Sequence, residues 1–194
     1  MTTKRLMKTT ARHAVIIACM VHGVFAGSTE SWAETAGSSD STSKQIARGK
    51  YLVEFGGCND CHTPGYFLGK PDMSLYLSGS NVGFEIPGMG TFVGPNLTPD
   101  KETGLGNWTK EEIITALQTG VRPDGRVLAT VMPWQAFAKL NKQDVGAIAD
   151  YLKSLQPVRN KAAGPFGSDQ KAPIFVMAVR PPADETFGAD QPKH

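Results

Sequence analysis

Five consecutive residues, Cys58-Asn59-Asp60-Cys61-His62, constrain this chain more than any other stretch. Two thiols three positions apart, followed at once by an imidazole, have the spacing of a c-type haem attachment site. The chemistry needs that spacing: each thiol adds across one vinyl group of the porphyrin, and the double clamp holds the histidine beneath the iron. Three other readings compete. A zinc site needs two more soft ligands, a thioredoxin-like pair expects a βαβ context and no histidine, and a disulfide would only brace the chain.

The start of the chain bears on that competition. Lys4, Arg5, Lys8 and Arg12 precede an apolar run from Ala14 to Ala26, and small residues follow, which is the form of a secretory signal peptide. Residues 1–33 are therefore expected to be removed on export to the periplasm, by cleavage after Ala26 or after Ala33. A lipoprotein signal at Cys19 and an uncleaved N-terminal anchor are the alternatives. Loss of 1–33 takes Cys19, His13 and His22 with it and leaves Cys58, Cys61, His62 and the terminal His194. A zinc or bis-histidine scheme within one chain then lacks ligands unless His194 swings in. Four basic residues and one acidic residue go as well, so the formal charge falls from +2 to about −1, and nucleic acid binding has no electrostatic case. Export also agrees with c-type haem, whose attachment takes place outside the cytoplasm.

Residues 34–43 are small and polar and read as a flexible lead-in. From Ser43 the spacing of Ile46, Gly49, Leu52, Val53 and Phe55 is helical, and Gly56-Gly57 ends the run before Cys58. Gly49 marks either the close approach of a second helix or a glycine tolerated near a helix start. Between His62 and Asp100 glycine and proline are so frequent that long regular elements are excluded, leaving irregular chain with room for a short hairpin. Wrapping a haem would give so long a loop a job.

Thr109-Lys110-Glu111-Glu112 is a capping box opening a helix through Ile113, Ile114, Ala116 and Leu117, with Gly120 just past its end. A short helix is expected over Trp134–Leu140 after Pro133, and a longer one after Asn141 through Val145, Ile148, Ala149, Leu152 and Leu155, stopped by Pro157. The Pro/Gly-rich extension 158–194 has one apolar run, Pro173 to Val179, too short to cross a membrane. Disorder and docking across the core are both open to it.

One axial nitrogen comes from His62. The other position is filled by a second side chain or left open, and that choice separates an electron carrier from a haem that binds small ligands. Candidates are Met73, Met89, Met132 and Met177, or a lysine. A thioether favours ferrous iron and raises the potential relative to a second imidazole. Met132 lies in Val131-Met132-Pro133-Trp134, where proline holds the backbone extended with no amide to compete. For each methionine the plain alternative is core filling.

Gly49, Cys58-x-x-Cys61-His62, Gly94-Pro95-Asn96-Leu97, Met132-Pro133 and the helix ending Ile148-Ala149-Asp150-Tyr151-Leu152 together resemble a class I monohaem cytochrome c. The stretch Asn96 to Thr109, with Asp124-Gly125 and Met132 to Leu140, is more particularly similar to one haem domain of the cytochrome c subunits of bacterial periplasmic alcohol and gluconate dehydrogenases. That resemblance implies an all-α fold, with N- and C-terminal helices packed around one covalently attached haem c, long irregular loops and an extended tail. The helices would cross near Gly49 against Leu152 or its neighbours. It implies thioether bonds at Cys58 and Cys61, His62 as proximal ligand, Met132 as distal ligand, and Pro95 as the carbonyl accepting from the histidine.

The implied organisation is a signal peptide 1–33, a lead-in 34–43, a cytochrome domain 44–157 and the extension 158–194. The implied function is single-electron transfer between a dehydrogenase-type donor and a respiratory acceptor, a cytochrome or an oxidase, by a carrier that is not itself an enzyme. A five-coordinate haem binding or reducing peroxide or nitric oxide, or a haem subunit within a larger dehydrogenase complex, are the alternatives. Two departures from the dehydrogenase subunits stand out: those have three haem domains and a membrane anchor, and the segment between His62 and Pro95 is longer here than in short cytochromes c.

Overall fold

The structure is a computed structural model that describes residues 30–178. The expected signal sequence as far as Thr29, with Cys19 and the cleavage point after Ala26, lies outside the described residues, as does His194. The chain divides into two units, Met1–Gly37 and Ser38–His194, and the second carries the haem motif.

Helix α1 is Glu30–Phe55, and the chain turns at Gly57, which takes a left-handed φ of 66°. The helix includes residues 34–43, expected from composition to be a flexible lead-in. Once the segment 44–55 is helical and packed through Val53, each further residue adds a hydrogen bond without the cost of a new nucleus, so weak helix formers follow. Helix α2 is Cys58–His62, a single turn. Helix α3, Lys110–Thr119, opens on the complete capping box, with the Thr109 side chain and Glu112 bonding each other's amides, and closes at Gly120. Helix α4 is Trp134–Phe137, shorter than the spacing predicts, because the chain up to Leu140 tightens into bonds such as Leu140 N to Phe137 O, 3.0 Å. Helix α5, Lys142–Ser154, is capped by Asn141, whose side chain accepts from the Asp144 amide.

Helices α1, α3 and α5 share an apolar cluster of Val53, Ile113, Ile148, Ala149, Tyr151 and Leu152, joined by Leu77 and Leu105 from the loops. Burying each large member contributes about 1.5–3 kcal/mol. At the crossing of α1 and α5, a Cβ on Gly49 would overlap the Ala147 carbonyl and come within 2.7 Å of the Tyr151 Cβ. Gly49 therefore allows the two backbones to touch, and the sequence reading of close helix approach is the one the structure takes. Arg48 fastens the same crossing through two bonds to Asp144, 2.9 and 3.2 Å.

The fold is not all-α. Strand β1, Val82–Ile86, and β2, Gly90–Val93, form an antiparallel hairpin, and β3, Phe175–Ala178, lies parallel to β1, giving the order β2-β1-β3. The breakers that exclude long helices from this loop leave two short runs of β-formers, and Phe84 faces Phe92 on one side and Met177 on the other. The apolar run of the extension supplies β3, but nothing local marks its partner, 93 positions away in the register Val82↔Phe175.

The extension is docked as far as it is described. Val158 and Asn160 bond to the loops, Phe166 exchanges backbone hydrogen bonds with Thr91 at 2.9 Å, and β3 completes the sheet. Among the described residues no helix is long and apolar enough to cross a membrane.

Candidate functional site

The motif forms one helical turn because Gly57 reverses the chain at the end of α1 and its carbonyl accepts from the Asp60 amide at 3.0 Å. This turn puts Cys58, Cys61 and His62 on one short element. His62 is only 4% exposed. Its Nδ1 lies 2.7 Å from the Pro95 carbonyl oxygen. A carbonyl only accepts, so Nδ1 carries the proton and donates, and Nε2 is left with its lone pair. Burial pushes the His62 pKa below the usual histidine value, with the Pro95 bond pulling the other way. The ring is therefore a neutral imidazole at neutral pH, oriented and ready to act as a donor through Nε2.

Gly94 makes that contact possible. A Cβ there would overlap the Cys61 carbonyl and sit 3.3 Å from His62 Nδ1, so only glycine lets the 94–95 backbone lie against α2. The carbonyl of His62 is engaged too, accepting from the Gly79 amide at 2.8 Å. Next to it, Thr63 Oγ1 donates to Asn59 Oδ1 at 2.7 Å and accepts from the Leu77 amide at 2.9 Å.

The two thiols are not joined to each other. Burial pushes Cys58 up to about 11, and burial, then the Asp60 carboxylate, raise Cys61. A thiol supplies both atoms that a vinyl group takes up when a thioether forms, the sulfur on one carbon and the hydrogen on the other.

Met132 is half-buried in the turn before α4, with its amide bonded to Ala129 O at 2.9 Å and its carbonyl to the Trp134 amide at 2.8 Å. Two aromatic side chains seat the following helix. A Cβ on Gly120 would come within 2.6 Å of the Trp134 ring, and one on Gly56 would lie 3.4 Å from the Phe137 ring and 3.9 Å from Cys58 Sγ. The segment carrying Met132 thus leads directly into an element that packs beside Cys58. The other candidate methionines are exposed: Met73 58%, Met89 53% and Met177 47%. The structure brings Cys58, Cys61, His62 and Pro95 into one cluster, and carries Met132 in the turn that leads into α4.

Sequence reasoning did not single out the polar groups behind His62. Ser78, Asn96 and Thr98 are at most 1% exposed and hydrogen-bonded. A buried asparagine in a loop has the same local pattern as an exposed turn asparagine, so no signal in the chain would have found it. The donor set as a whole (two half-buried thiols, a neutral imidazole with its lone pair on Nε2, a half-buried thioether) fits a covalently attached haem.

Comparison with known proteins agrees. Residues 46–156 match the cytochrome c family model. The chain is 36% identical over 126 residues to the cytochrome c subunit of a quinone alcohol dehydrogenase from Gluconobacter oxydans, an alignment covering 63% of this chain and 24% of that protein. It is 36% identical over 142 residues to the fructose dehydrogenase cytochrome subunit of Gluconobacter japonicus, covering 70% and 27%. It is 32% identical over 117 residues to a diheme cytochrome c-type protein of Cereibacter sphaeroides, covering 58% and 37%. The chain therefore spans only about a quarter of the length of the two dehydrogenase subunits. With a family model matched over more than half its length and the CxxCH cluster assembled as described, the chain belongs to the cytochrome c family, whose cofactor is covalently attached haem c.

Proposed function

We propose that this electron-transfer haem protein is a monohaem carrier in which Cys58 and Cys61 form the thioethers and His62 Nε2 and Met132 Sδ are the axial ligands. The observation that carries the reading is the 2.7 Å bond from His62 Nδ1 to the Pro95 carbonyl, which sets the tautomer and aims Nε2 away from the loop. Met132 is favoured as the second ligand because it alone among the four candidate methionines is half-buried, and because α4 follows it into contact beside Cys58. Bound haem supplies a one-electron couple. The protein contributes a shielded imidazole, a soft sulfur ligand that raises the potential and two covalent tethers. In this reading α1 and α5 pack around the haem within a domain of residues 44–157, preceded by a cleaved signal peptide 1–33 and followed by the extension 158–194.

The relatives are cytochrome subunits of alcohol and fructose dehydrogenases. By analogy the donor is a periplasmic dehydrogenase and the acceptor another cytochrome or an oxidase, met through weak, transient contacts. The test of the ligands is spectroscopic. The wild-type ferric protein should be low-spin, with the weak red charge-transfer band of sulfur-ligated haem, and Met132→Ala should lose that band, lower the midpoint potential and bind cyanide rapidly. An unchanged spectrum in Met132→Ala would refute the sulfur assignment. A high-spin wild-type protein that binds cyanide at once would mean a five-coordinate haem instead. A pull-down from periplasm tests the partners.

A further inference from the structure

We propose that Asn160, on the extension beyond the matched family domain, is a positioning residue for the axial histidine. It ties that extension to both backbone segments flanking His62 and so fixes how the Pro95 carbonyl bears on Nδ1. The inference rests on the reading of His62 as an iron ligand.

Asn160 lies past the last residue of the family match, at position 156. Its side-chain Nδ2 donates to the Ser78 carbonyl at 3.1 Å, with Ser78 Oγ at 3.3 Å, and its backbone amide donates to Thr103 Oγ1 at 3.2 Å. Each contact leads toward the site. Ser78 is fully buried, and beside it the Gly79 amide holds the His62 carbonyl at 2.8 Å, the Leu77 amide holds Thr63, and the Leu77 carbonyl accepts from the Leu97 amide at 2.8 Å. Thr103 Oγ1 also accepts from Asn96 Nδ2 at 2.9 Å. Asn96 is the residue after Pro95.

Asn96 is held from the extension as well. Its Nδ2 faces the Val158 carbonyl at 2.7 Å and that of Asn160 at 3.3 Å, while its Oδ1 accepts from the Thr98 amide at 2.8 Å and the Thr98 hydroxyl at 2.7 Å. Thr98 Oγ1 in turn accepts from the Val158 amide at 3.1 Å. On the other side of Pro95, the Gly94 carbonyl accepts from the Ser80 amide at 2.9 Å. The peptide that offers its oxygen to His62 is thus pinned before and after Pro95, and the extension holds one pin directly and braces the segment carrying the other. A buried network of this kind acts as a unit, because loosening one member leaves others desolvated and unpaired.

The consequence reaches the iron through one bond. A firm Nδ1–H to carbonyl bond makes the imidazole a stronger electron donor, which favours ferric iron. Weakening it should raise the midpoint potential. General loosening of the pocket, with water entry or loss of the sulfur ligand, should lower it. The sign of the change therefore separates a positioning role from a merely structural one.

The experiment compares wild-type, Asn160→Ala and Asn160→Leu holoproteins by redox titration and by NMR exchange of the His62 Nδ1 proton with solvent. Asn160→Leu keeps the approximate volume and the backbone bond to Thr103, adds no charge and cannot donate to Ser78, so it carries the test if the alanine variant accumulates poorly. Both should show a raised potential and exchange about tenfold faster. Phe175→Ala, on the exposed strand β3 of the same extension, should match wild type in both. Wild-type potential and exchange in the Asn160 variants, even with a lowered melting temperature, would overturn the proposal, as would a fall in potential with loss of the sulfur band. A wild-type NMR spectrum without a hyperfine-shifted His62 ring would overturn the ligand assignment and this inference with it, and that result is recognised before any substitution is made.

Discussion

Around α1, α3 and α5 the buried side chains are apolar: Val53, Ile113, Val145, Ile148, Ala149 and Leu152, none more than 4% exposed. Around the loops 63–104 and the extension, deep burial belongs equally to Thr63, Ser78, Ser80, Thr91, Asn96 and Thr98, none above 5%. The two regions meet at α2. Apolar contact is non-directional and close to proportional to area, so the helical region supplies stability while leaving small slides inexpensive. Hydrogen bonds are directional, and a buried one that is lost costs its full desolvation. A carbonyl oxygen held 2.7 Å from an imidazole nitrogen needs the second kind of support. Stability and the placement of that carbonyl are thus built from separate materials.

The largest expected effect comes from the helical region. Gly49→Val would drive a branched side chain into the Ala147 backbone, where neither partner has a flexible end to yield, and should destabilise the holoprotein by about 3 kcal/mol. Denaturant unfolding measures that loss, and redox titration of the folded fraction should return a midpoint near wild type. A large shift in potential would erase the division between the two regions.

Asn96→Ala comes next, at about 2 kcal/mol, since it leaves the Thr98 amide without its partner and takes from the Val158 carbonyl the shorter of its two bonds. Here the midpoint should move even though less stability is lost than in the Gly49 variant. A stability loss with an unmoved potential would show that the polar region is scaffold only.

The smallest effect is at the rim of the helix crossing. The Arg48 bond holds the Asp144 carboxyl below its ordinary value of 3.8. Because the folded pKa lies below the unfolded one, the pair's contribution is complete above pH 3.8 and disappears as the pH falls through the lower folded value. Asp144→Asn should therefore be modestly less stable than wild type at neutral pH, and the two should converge in strong acid. A gap that widens on acidification would contradict the ion-pair account.

Much of the helical region was legible because its signals are local. Thr109 and Glu112 are three residues apart and cap their own helix, Asn141 does the same for α5, and the spacing of Val145, Ile148, Ala149 and Leu152 states which face is buried. Gly49 was legible as an ambiguity: the sequence shows a glycine on a helix, and the Ala147 backbone lying against it decides between tolerance and close approach. The all-α architecture failed for a non-local reason: β1 becomes the centre of a sheet because a strand from far along the chain lies beside it.

The cofactor follows from the chain alone. Cys58, Cys61 and His62 lie within five residues, and covalent spacing inside one helical turn needs no distant partner to be read. Packing settles which nitrogen of His62 carries the proton, which methionine is half-buried, and that a tail rich in proline and glycine is tied to the loops at Ser78, Asn96 and Thr98. Those outcomes depend on pairs 33 to 82 residues apart, Pro95 with His62 and Asn160 with Ser78. Contacts between positions so distant leave no periodicity in the chain, and they exist only once the helices have brought the loops together.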